Sequence, residues 1–234
     1  MTSFKRGLER KRSISGSRST RLDRGSCSAA ALWKQSIACF SSKDAFAVAD
    51  DAGAGQFVVV GFSMSGRFAQ YLRVRALNRI LGQVLVAPCP ASPIQLPEEA
   101  RREWLSLAGD AERFKATNAQ FLTQPVDPHV LDRFGKQAAK VTPAALEGTL
   151  TALAQASFAD KVNPSQAPTL IVGGIHDGLF PPALLREWFA SMPHSRLAFL
   201  DSNHEIPIEQ PRELAALLEA FLAGVLALSG SDCT

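Results

Sequence analysis

Four short apolar runs constrain the fold of this 234-residue chain more than any other feature. Rich in valine, isoleucine, leucine and phenylalanine, they predict buried strands at residues 57–60, 83–87, 169–173 and 197–200. Stretches with helical spacing flank them, at about residues 44–52, 65–77, 182–192 and 211–228. Because a helix between two such strands makes the strands run parallel, we expect an α/β fold in which helices flank a mostly parallel sheet.

The region between the second and third predicted strands, about residues 93–165, carries no strand pattern. Its large aromatic residues fall within helix-forming stretches: Trp104, Phe114, Phe121, Phe134 and Phe158. We therefore expect a helical cap inserted into a single domain that spans residues 41–234. The aromatic residues either line an apolar substrate pocket or pack the inserted helices onto the sheet, and packing is the better interpretation for most of them.

Residues 1–40 differ from the rest in composition. Residues 1–24 hold eight lysines and arginines against two acidic residues, a net charge of +6 that leaves −3 for the remainder, since the chain totals +3. The pI of 8.8 thus comes from this segment. The body has no basic patch with interleaved aromatics, so nucleic-acid binding is not expected. We expect a basic, disordered tail; the composition also fits an organellar transit peptide or a stretch that is not the natural start.

Cysteine usage and hydropathy exclude two further classes. The chain has four cysteines: Cys27, Cys39, Cys89 and Cys233. They form no Cys-x-x-Cys pair and have no histidine near them in sequence, so no metal site is expected. Scattered cysteines without a secretory signal favour a reducing, cytoplasmic location. The longest apolar run, residues 214–228, contains Glu219 and falls short of the roughly 20 residues that cross a bilayer, so no membrane span is expected.

One segment, GFSMSG at residues 61–66, carries a candidate nucleophile. It leads from the first predicted strand into a helix. A nucleophile on such a sharp turn requires small residues two positions before and after it, so that strand and helix can approach each other. Gly61 and Ser65 meet this requirement for Ser63. Ser65 itself is followed two residues later by the bulky Arg67, so Ser63 is the candidate.

This turn resembles the nucleophile elbow of the α/β-hydrolase superfamily, whose pattern is Gly-x-Ser-x-Gly after a strand. Ser65 stands where the family usually has glycine, one small residue for another. The superfamily orders its catalytic residues as nucleophile, acid and histidine, the last two in loops after later strands. Asp177, in GIHDGLFP after the third predicted strand, matches the acid. His204, in DSNHEIP after the fourth, matches the histidine. The resemblance covers about residues 44–228 and implies an α/β-hydrolase fold.

The resemblance also implies a role for each matched residue. His204 would take the proton from Ser63 as it attacks and return it to the leaving group, while Asp177 orients the imidazole and stabilises its charged form. The backbone N–H of Met64, at the start of a helix, would supply one oxyanion-hole donor. The other histidines are expected to be structural or exposed: His129, His194 and His176, which adjoins the acid and would shape its loop.

The family's second oxyanion donor comes from a loop after an early strand and commonly lies in a His-Gly sequence, but this chain has no histidine before His129. Residues 1–40 contain no recognisable early strands, and residues 21–26 are similar to the family's D-x-R-G-x-G-x-S loop over a few positions only. Without such strands, the strand at 57–60 becomes an exposed apolar edge. We hypothesise that the reading frame is truncated or shifted at its 5′ end, which leaves the N-terminal part of the sheet incomplete.

These features together favour a serine hydrolase that cleaves a carboxylic ester, lactone or related acyl compound. We expect an apolar small molecule as its substrate and no cofactor or metal. Two alternatives stay open. Phe62 before the serine is similar to the elbow of cofactor-free haloperoxidases and perhydrolases, which use the same residues with peroxide. A fragment with an incomplete oxyanion hole would instead be a catalytically impaired hydrolase or a non-catalytic binding protein.

Overall fold

The computed structural model describes residues 37–162 and 167–230. The tail predicted at residues 1–40 lies outside the described residues except for its last four, which are helical. Helix α1 (Ile37–Asp51) therefore begins seven residues before the helix predicted at 44–52. Near its end, the ring of Phe46 packs edge-on against Phe57, with centroids 6.3 Å apart. This contact ties α1 to the start of the first strand.

All four predicted strands are present, and they form one parallel sheet in the described part of the chain. They lie side by side in chain order: β1 (Phe57–Phe62), β2 (Ile80–Val86), β3 (Thr169–Gly174) and β4 (Ser195–Leu200). The register aligns Val60 with Val84, Val84 with Leu170, and Leu170 with Arg196. The α/β fold expected from the sequence is confirmed. Because the strands run in one direction, their carboxyl ends meet at a single edge of the sheet.

The observed strands extend beyond the predicted runs by one to three residues, and β2 also excludes one residue that was predicted. The pattern at residues 83–87 includes Ala87 in the second strand, but β2 begins earlier, at Ile80, and ends at Val86. Ala87 has a φ of +40°, a left-handed conformation that no strand residue adopts. Its backbone N–H still reaches the carbonyl of Val172 at 2.8 Å, so the chain turns away from the sheet only after this residue.

Helices fill the connections between the strands. One follows β1 directly, five lie between β2 and β3 within the described residues, and the others follow β3 and β4. Their bounds are α2 (Met64–Arg75), α3 (Glu98–Leu105), α4 (Ala111–Ala119), α5 (Pro128–Ala138), α6 (Pro143–Gln155), α7 (Ala159–Val162), α8 (Pro182–Ser191), α9 (Ile206–Glu209) and α10 (Pro211–Gly230). The helices predicted at 65–77, 182–192 and 211–228 are confirmed to within two residues. Helix α9 has no counterpart in the prediction because four residues are too few for a helical period.

Helices cover both faces of the sheet. Helix α10 packs on one face, where Leu214 and Phe221 join a buried cluster with Val172. The other face carries a second cluster, in which Ile171 of β3 meets Leu185 of α8 and residues of α2 and α7. The two central strands, β2 and β3, are buried along almost their whole length, as expected for apolar strands covered on both faces.

Residues 98–162, which form helices α3 to α7 and are here called the helical insertion, contain no strand. Helices α4 and α5 pack together through the rings of Phe114 and Phe134, whose centroids are 5.6 Å apart. The Nζ of Lys115 and Oδ1 of Asp132 add an ion pair of 2.6 Å between the same helices. The insertion is thus held together partly by its own contacts and not by the sheet alone.

Strand β1 pairs with β2 alone in the described part of the chain, so it forms an edge there. Val60 in its centre is 51% exposed. None of the helices in residues 37–162 and 167–230 is both long and apolar enough to cross a membrane.

Candidate active site

Ser63 lies on a strained turn between the last residue of β1 and the first residue of α2. Its backbone has φ +51° and ψ −119°, which is uncommon for a residue with a Cβ and marks stored strain. The turn needs its glycines, since a Cβ on Gly61 would lie 2.7 Å from the Cα of Gly66, and one on Gly66 would lie 2.7 Å from the Cβ of Pro88. Gly61, identified in the sequence, and Gly66 are therefore required by the close approach of strand, helix and neighbouring loop.

The sequence favours Ser63 over Ser65 as the candidate nucleophile because Ser65 is small and Arg67 is bulky, and both of these side chains form hydrogen bonds of their own. The Oγ of Ser65 donates to the carbonyl of Phe62 at 2.7 Å and accepts from its N–H at 3.2 Å, so this side chain closes its own turn. Arg67 is buried, and its guanidinium donates to the carbonyls of Leu153 and Ala156. Ser65 is thus occupied locally, and Arg67 joins α2 to the helical insertion.

Three of the predicted site residues form a hydrogen-bonded chain across three loops at the carboxyl edge of the sheet. The Oγ of Ser63 lies 2.9 Å from Nε2 of His204. The Nδ1 of His204 lies 2.9 Å from Oδ2 of Asp177. Ser63 follows β1, Asp177 follows β3 and His204 follows β4, so the sheet itself brings together residues that are up to 141 positions apart.

The carboxylate of Asp177 is buried, with 2% of the residue exposed. Burial raises the pKa of this group, but the hydrogen bond and charge of His204, together with hydrogen bonds from two backbone N–H groups, lower the pKa below its ordinary value. The backbone N–H groups of Leu179 and Phe180 also donate to its Oδ1, at 2.8 and 3.0 Å. One oxygen is thus fixed by the acid loop while the other is directed at His204, which keeps a negative charge beside the imidazole.

A second carboxylate, Glu209 of α9, holds the loop that carries His204. Its Oε2 accepts from the Oγ of Ser202 and the N–H of Asn203, both at 2.8 Å. Its Oε1 accepts from the N–H and the hydroxyl of Thr123 in the helical insertion. Burial raises the pKa of Glu209, but these hydrogen bonds lower it below its ordinary value. Glu209 therefore joins the histidine loop to the helical insertion.

Three aromatic rings surround the imidazole of His204. Phe62, Phe121 and Phe180 have ring centroids 5.3, 6.1 and 5.6 Å from that of His204. They come from β1, from the loop after α4 and from the acid loop, respectively. Because these rings take up the space beside the imidazole, they restrict its orientation and exclude water from most of its surface.

A cavity of about 500 Å³ opens over Ser63 and His204. Most of its lining comes from apolar side chains of the helical insertion and the segments beside it: Ile94, Leu96, Trp104, Leu107, Ala108, Phe114, Phe121, Phe134, Ala138, Val141, Leu146, Leu150 and Leu153. The few polar residues in the lining include Asn118 and Glu205, both buried. The cavity has room for a small organic molecule beside the hydroxyl of Ser63.

Cys89 is buried beside Ser63. Its N–H donates to the carbonyl of Ser63 at 2.9 Å, and its side chain interacts with that of Ser63. Burial raises the pKa of the Cys89 thiol to about 12, although the charge of Arg67 and the contact with Ser63 act in the opposite direction. Cys89 is thus a protonated thiol in the cavity wall.

The backbone around Ser63 offers one candidate oxyanion donor. Met64 is the first residue of α2, and the first N–H groups of a helix have no acceptor within it. Such a group also benefits from the helix dipole. The early His-Gly loop expected to supply a second donor has no counterpart in the sequence, and residues 1–36 lie outside the described residues.

The other three histidines, His129, His176 and His194, do not line the cavity. The Nε2 of His176 is 2.9 Å from Oδ1 of Asp201, at an exposed position that links the acid loop to the histidine loop. His129 is exposed at the start of α5, and His194 is exposed before β4 with a φ of +62°. In the described ranges, no group of three or more histidine, cysteine, aspartate or glutamate side chains is placed to hold a metal ion.

Sequence reasoning missed three residues of this site: Cys89, Glu205 and Glu209. Glu205 and Glu209 follow His204 closely, so their position in the sequence was a usable signal for proximity. This proximity did not indicate that the carboxylate of Glu209 is hydrogen-bonded and that of Glu205 is not. No pattern marks Cys89, because its approach to Ser63 depends on how the loop after β2 turns at Ala87.

Solved structures with similar folds are hydrolases. An esterase from Thermogutta terrifontis is 21% identical with a TM-score of 0.65, over 79% of this chain and 71% of that protein. A bacterial membrane phospholipase A is 20% identical with a TM-score of 0.66, over 80% of this chain and 63% of that protein. A meta-cleavage product hydrolase from Pseudomonas fluorescens is 17% identical with a TM-score of 0.61, over 88% of this chain and 75% of that protein. At these identities, the similarity shows a shared fold.

The sequence itself assigns the family. No curated protein sequence matches the chain, but residues 20–217 match the profile of the alpha/beta hydrolase family. This match covers most of the chain, including all four strands and the loops that carry Ser63, Asp177 and His204. The chain therefore belongs to the alpha/beta hydrolase family and is an enzyme of the hydrolase class.

Proposed function

We propose that this enzyme hydrolyses carboxylic esters through Ser63, His204 and Asp177. The observation that carries the proposal is the hydrogen-bonded chain from Ser63 through His204 to Asp177, with both heavy-atom distances at 2.9 Å. A serine hydroxyl is a weak nucleophile at neutral pH unless a base is positioned to take its proton. The strained turn at Ser63 supports the same role, because it presents the hydroxyl at the cavity floor.

The proposed reaction starts when the Oγ of Ser63 attacks the ester carbonyl and its proton moves to Nε2 of His204. The Nδ1–H of His204 donates to Asp177 throughout, so the imidazolium that forms lies beside a buried negative charge. The N–H of Met64 donates to the oxyanion. The imidazolium then protonates the departing alcohol, which leaves an acyl group on Ser63. Water then attacks this acyl group with His204 again acting as base, and the imidazolium returns the proton to the Oγ of Ser63 as the acid product leaves.

The substrate class follows from the cavity. Its lining is dominated by aliphatic and aromatic side chains, so the acyl or alcohol part of the substrate is proposed to be apolar. Burying each methylene of a substrate is favourable by about 0.8 kcal/mol. Activity toward esters is therefore expected to rise with acyl chain length until the cavity of about 500 Å³ is filled.

Covalent labelling with a fluorophosphonate tests the nucleophile. The reagent is expected to attach to Ser63, identified by mass spectrometry of the labelled peptide, and labelling is expected to disappear in Ser63→Ala. Ser65→Ala is the matched control, because Ser65 lies two residues away on the same turn and makes only local hydrogen bonds. Labelling that persists in Ser63→Ala would contradict the proposal, and its loss in Ser65→Ala would identify Ser65 as the reactive residue instead.

An ester series tests the reaction itself. p-Nitrophenyl esters of increasing acyl length are expected to be hydrolysed by the wild-type chain, with kcat/KM rising from acetate to medium-length chains. Hydrolysis that is equally fast in Ser63→Ala would come from another group or a contaminant. It would overturn the proposed mechanism even if the chain-length preference were found.

A further inference from the structure

One ionisable side chain in the cavity has no role in the proposed reaction. Glu205 follows His204 directly, lines the cavity and is only 4% exposed. It precedes α9, yet its side chain does not cap that helix. Its carboxyl group forms no hydrogen bond or ion pair with any residue in 37–162 or 167–230. Its carboxyl oxygens are not among the fully buried side-chain atoms that lack a partner, so they border the cavity, which Glu205 lines. A carboxyl group largely removed from bulk solvent still requires hydrogen bonds, and here those bonds have to come from the cavity side.

The nearby carboxylates differ from Glu205 in this respect. Asp177 is hydrogen-bonded to His204 and to two backbone N–H groups. Glu209 accepts hydrogen bonds from Thr123, Ser202 and Asn203. Of the three, Glu205 alone lacks a hydrogen-bond donor and lines the cavity.

The charges that face Glu205 are mostly negative. Burial raises its pKa, the charge of His204 lowers it, and the charges of Glu209 and Asp177 raise it. No lysine or arginine is among the described residues that line the cavity. The imidazole of His204 is already hydrogen-bonded at both nitrogens, so it has no N–H left to offer Glu205. A donor for this carboxyl group would have to come from a molecule in the cavity.

We propose that Glu205 is a specificity-determining residue that accepts a hydrogen bond from an ammonium or hydroxyl group of the ester substrate and disfavours substrates that carry a carboxylate. This inference rests on the proposed esterase function and narrows its substrate class. The apolar walls would hold the hydrocarbon part of such a molecule, and Glu205 would bind its polar group. A substrate carboxylate placed beside Glu205 would have no lysine or arginine in the cavity lining to balance its charge.

Ammonium and hydroxyl groups share hydrogen-bond donation but differ in charge, so a matched set of esters separates them. We would measure kcat/KM for the p-nitrophenyl esters of heptanoic, 6-aminohexanoic and 6-hydroxyhexanoic acids and for the adipic acid monoester. These acyl groups have similar length and differ mainly at the far end. In the wild-type chain, the amino or hydroxy ester is expected to be preferred to the heptanoate, and the adipate to be the poorest substrate.

Glu205→Gln is the diagnostic variant, because it keeps the size of the side chain and removes its charge. The preference for the amino ester over heptanoate is expected to fall about tenfold to a hundredfold, the usual result of losing a charged hydrogen-bond partner. The adipate monoester is expected to improve about tenfold relative to heptanoate. Glu205→Leu is expected to change the ratios in the same direction. This variant is needed because the new amide of Glu205→Gln could form hydrogen bonds of its own with the substrates. Glu213→Gln, at an exposed position in α10, is the matched control and leaves all ratios unchanged.

These ratios separate a failure of this inference from a failure of the esterase proposal. A chain that hydrolyses heptanoate, labels at Ser63 and has the same four ratios in wild type and Glu205→Gln would overturn the role of Glu205 alone. A chain that neither labels nor hydrolyses any of the four esters would overturn both proposals. A purely structural role for Glu205 would lower all four activities together and leave the ratios unchanged, which also contradicts the inference.

Discussion

The loops at the carboxyl edge of the sheet and the helical insertion contribute to the cavity in different ways. The loops supply polar groups that are each fixed by hydrogen bonds, as in the chain from Ser63 to His204 and Asp177. The insertion supplies mainly apolar side chains and volume. A parallel sheet brings groups from distant parts of the chain into hydrogen-bonding distance, whereas apolar walls tolerate changes in side-chain size. The proposed chemistry and the substrate preference are therefore expected to respond differently to mutation.

The largest effect is expected in the loop residues. His204→Ala should lower kcat/KM by about 10⁴-fold or more, and the double variant with Ser63→Ala should be little worse than either single variant, because groups that act as one unit are strongly non-additive. Steady-state hydrolysis of a medium-chain ester by all three variants measures this. Losses that multiply in the double variant would show that the two residues act independently.

A smaller effect is expected where the two regions meet. Glu209→Gln cannot accept all four hydrogen bonds of the carboxylate, so the histidine loop should shift and kcat should fall roughly tenfold to a hundredfold. Thr123→Val removes one hydroxyl on the insertion side and leaves the bonds to Ser202 and Asn203. It should change KM more than kcat. Equal losses of kcat in Glu209→Gln and Thr123→Val would mean that the helical insertion contributes to the reaction step as much as the histidine loop does.

Glu209 also predicts a pH dependence of stability. Its hydrogen bonds lower its pKa in the folded protein, so its stabilising contribution is fully present at neutral pH and is lost as the pH falls through that lowered pKa. The difference in Tm between wild type and Glu209→Gln should therefore be largest near neutral pH and shrink in acid. Thermal unfolding across a pH series measures it. A difference that grows in acid would have the wrong sign.

Filling the cavity should affect preference and leave the chemistry intact. Ala108→Phe, in the cavity wall, should lower kcat/KM for long-chain esters roughly tenfold while acetate esters change little, because each methylene that is no longer buried loses about 0.8 kcal/mol. Ala116→Phe on the exposed side of α4 is the matched control. A uniform loss for all chain lengths would indicate that the insertion also positions the reacting groups.

The smallest effect concerns the stability of Glu205→Gln. Burial raises the pKa of Glu205, so ionising it opposes folding, and this cost appears as the pH rises above the ordinary value for glutamate. The variant should have a slightly higher Tm than wild type near neutral pH and the same Tm in acid. Glu213→Gln should match wild type throughout. A lower Tm at neutral pH would show that the carboxylate has a stabilising partner.

The difference between the sheet with its loops and the helical insertion also explains how much of the fold and of the site the sequence could predict. The four strands are continuous apolar runs, and the turn at Ser63 has steric demands that few residues meet, so both were identifiable from the residues. The positions of Asp177 and His204 follow from the order of loops in the resembled family. The hydrogen bonds of Glu209 and the unpartnered carboxyl of Glu205 could not be predicted, because they depend on the relative placement of α9 and the helical insertion. The left-handed Ala87 was missed because alanine carries no signal for that conformation.

Cys89 bears on which atom in the cavity would be acylated in the proposed reaction. Sulfur attacks carbonyl carbon more readily than oxygen does, but only as the thiolate. With the pKa of Cys89 raised to about 12, only about one molecule in 10⁵ carries the thiolate at pH 7. The imidazole lies within hydrogen-bonding distance of the Ser63 hydroxyl and gives that oxygen a route for its proton. In the proposed reaction, selectivity between oxygen and sulfur would thus be set by where a proton can go, and not by which atom reacts faster in water.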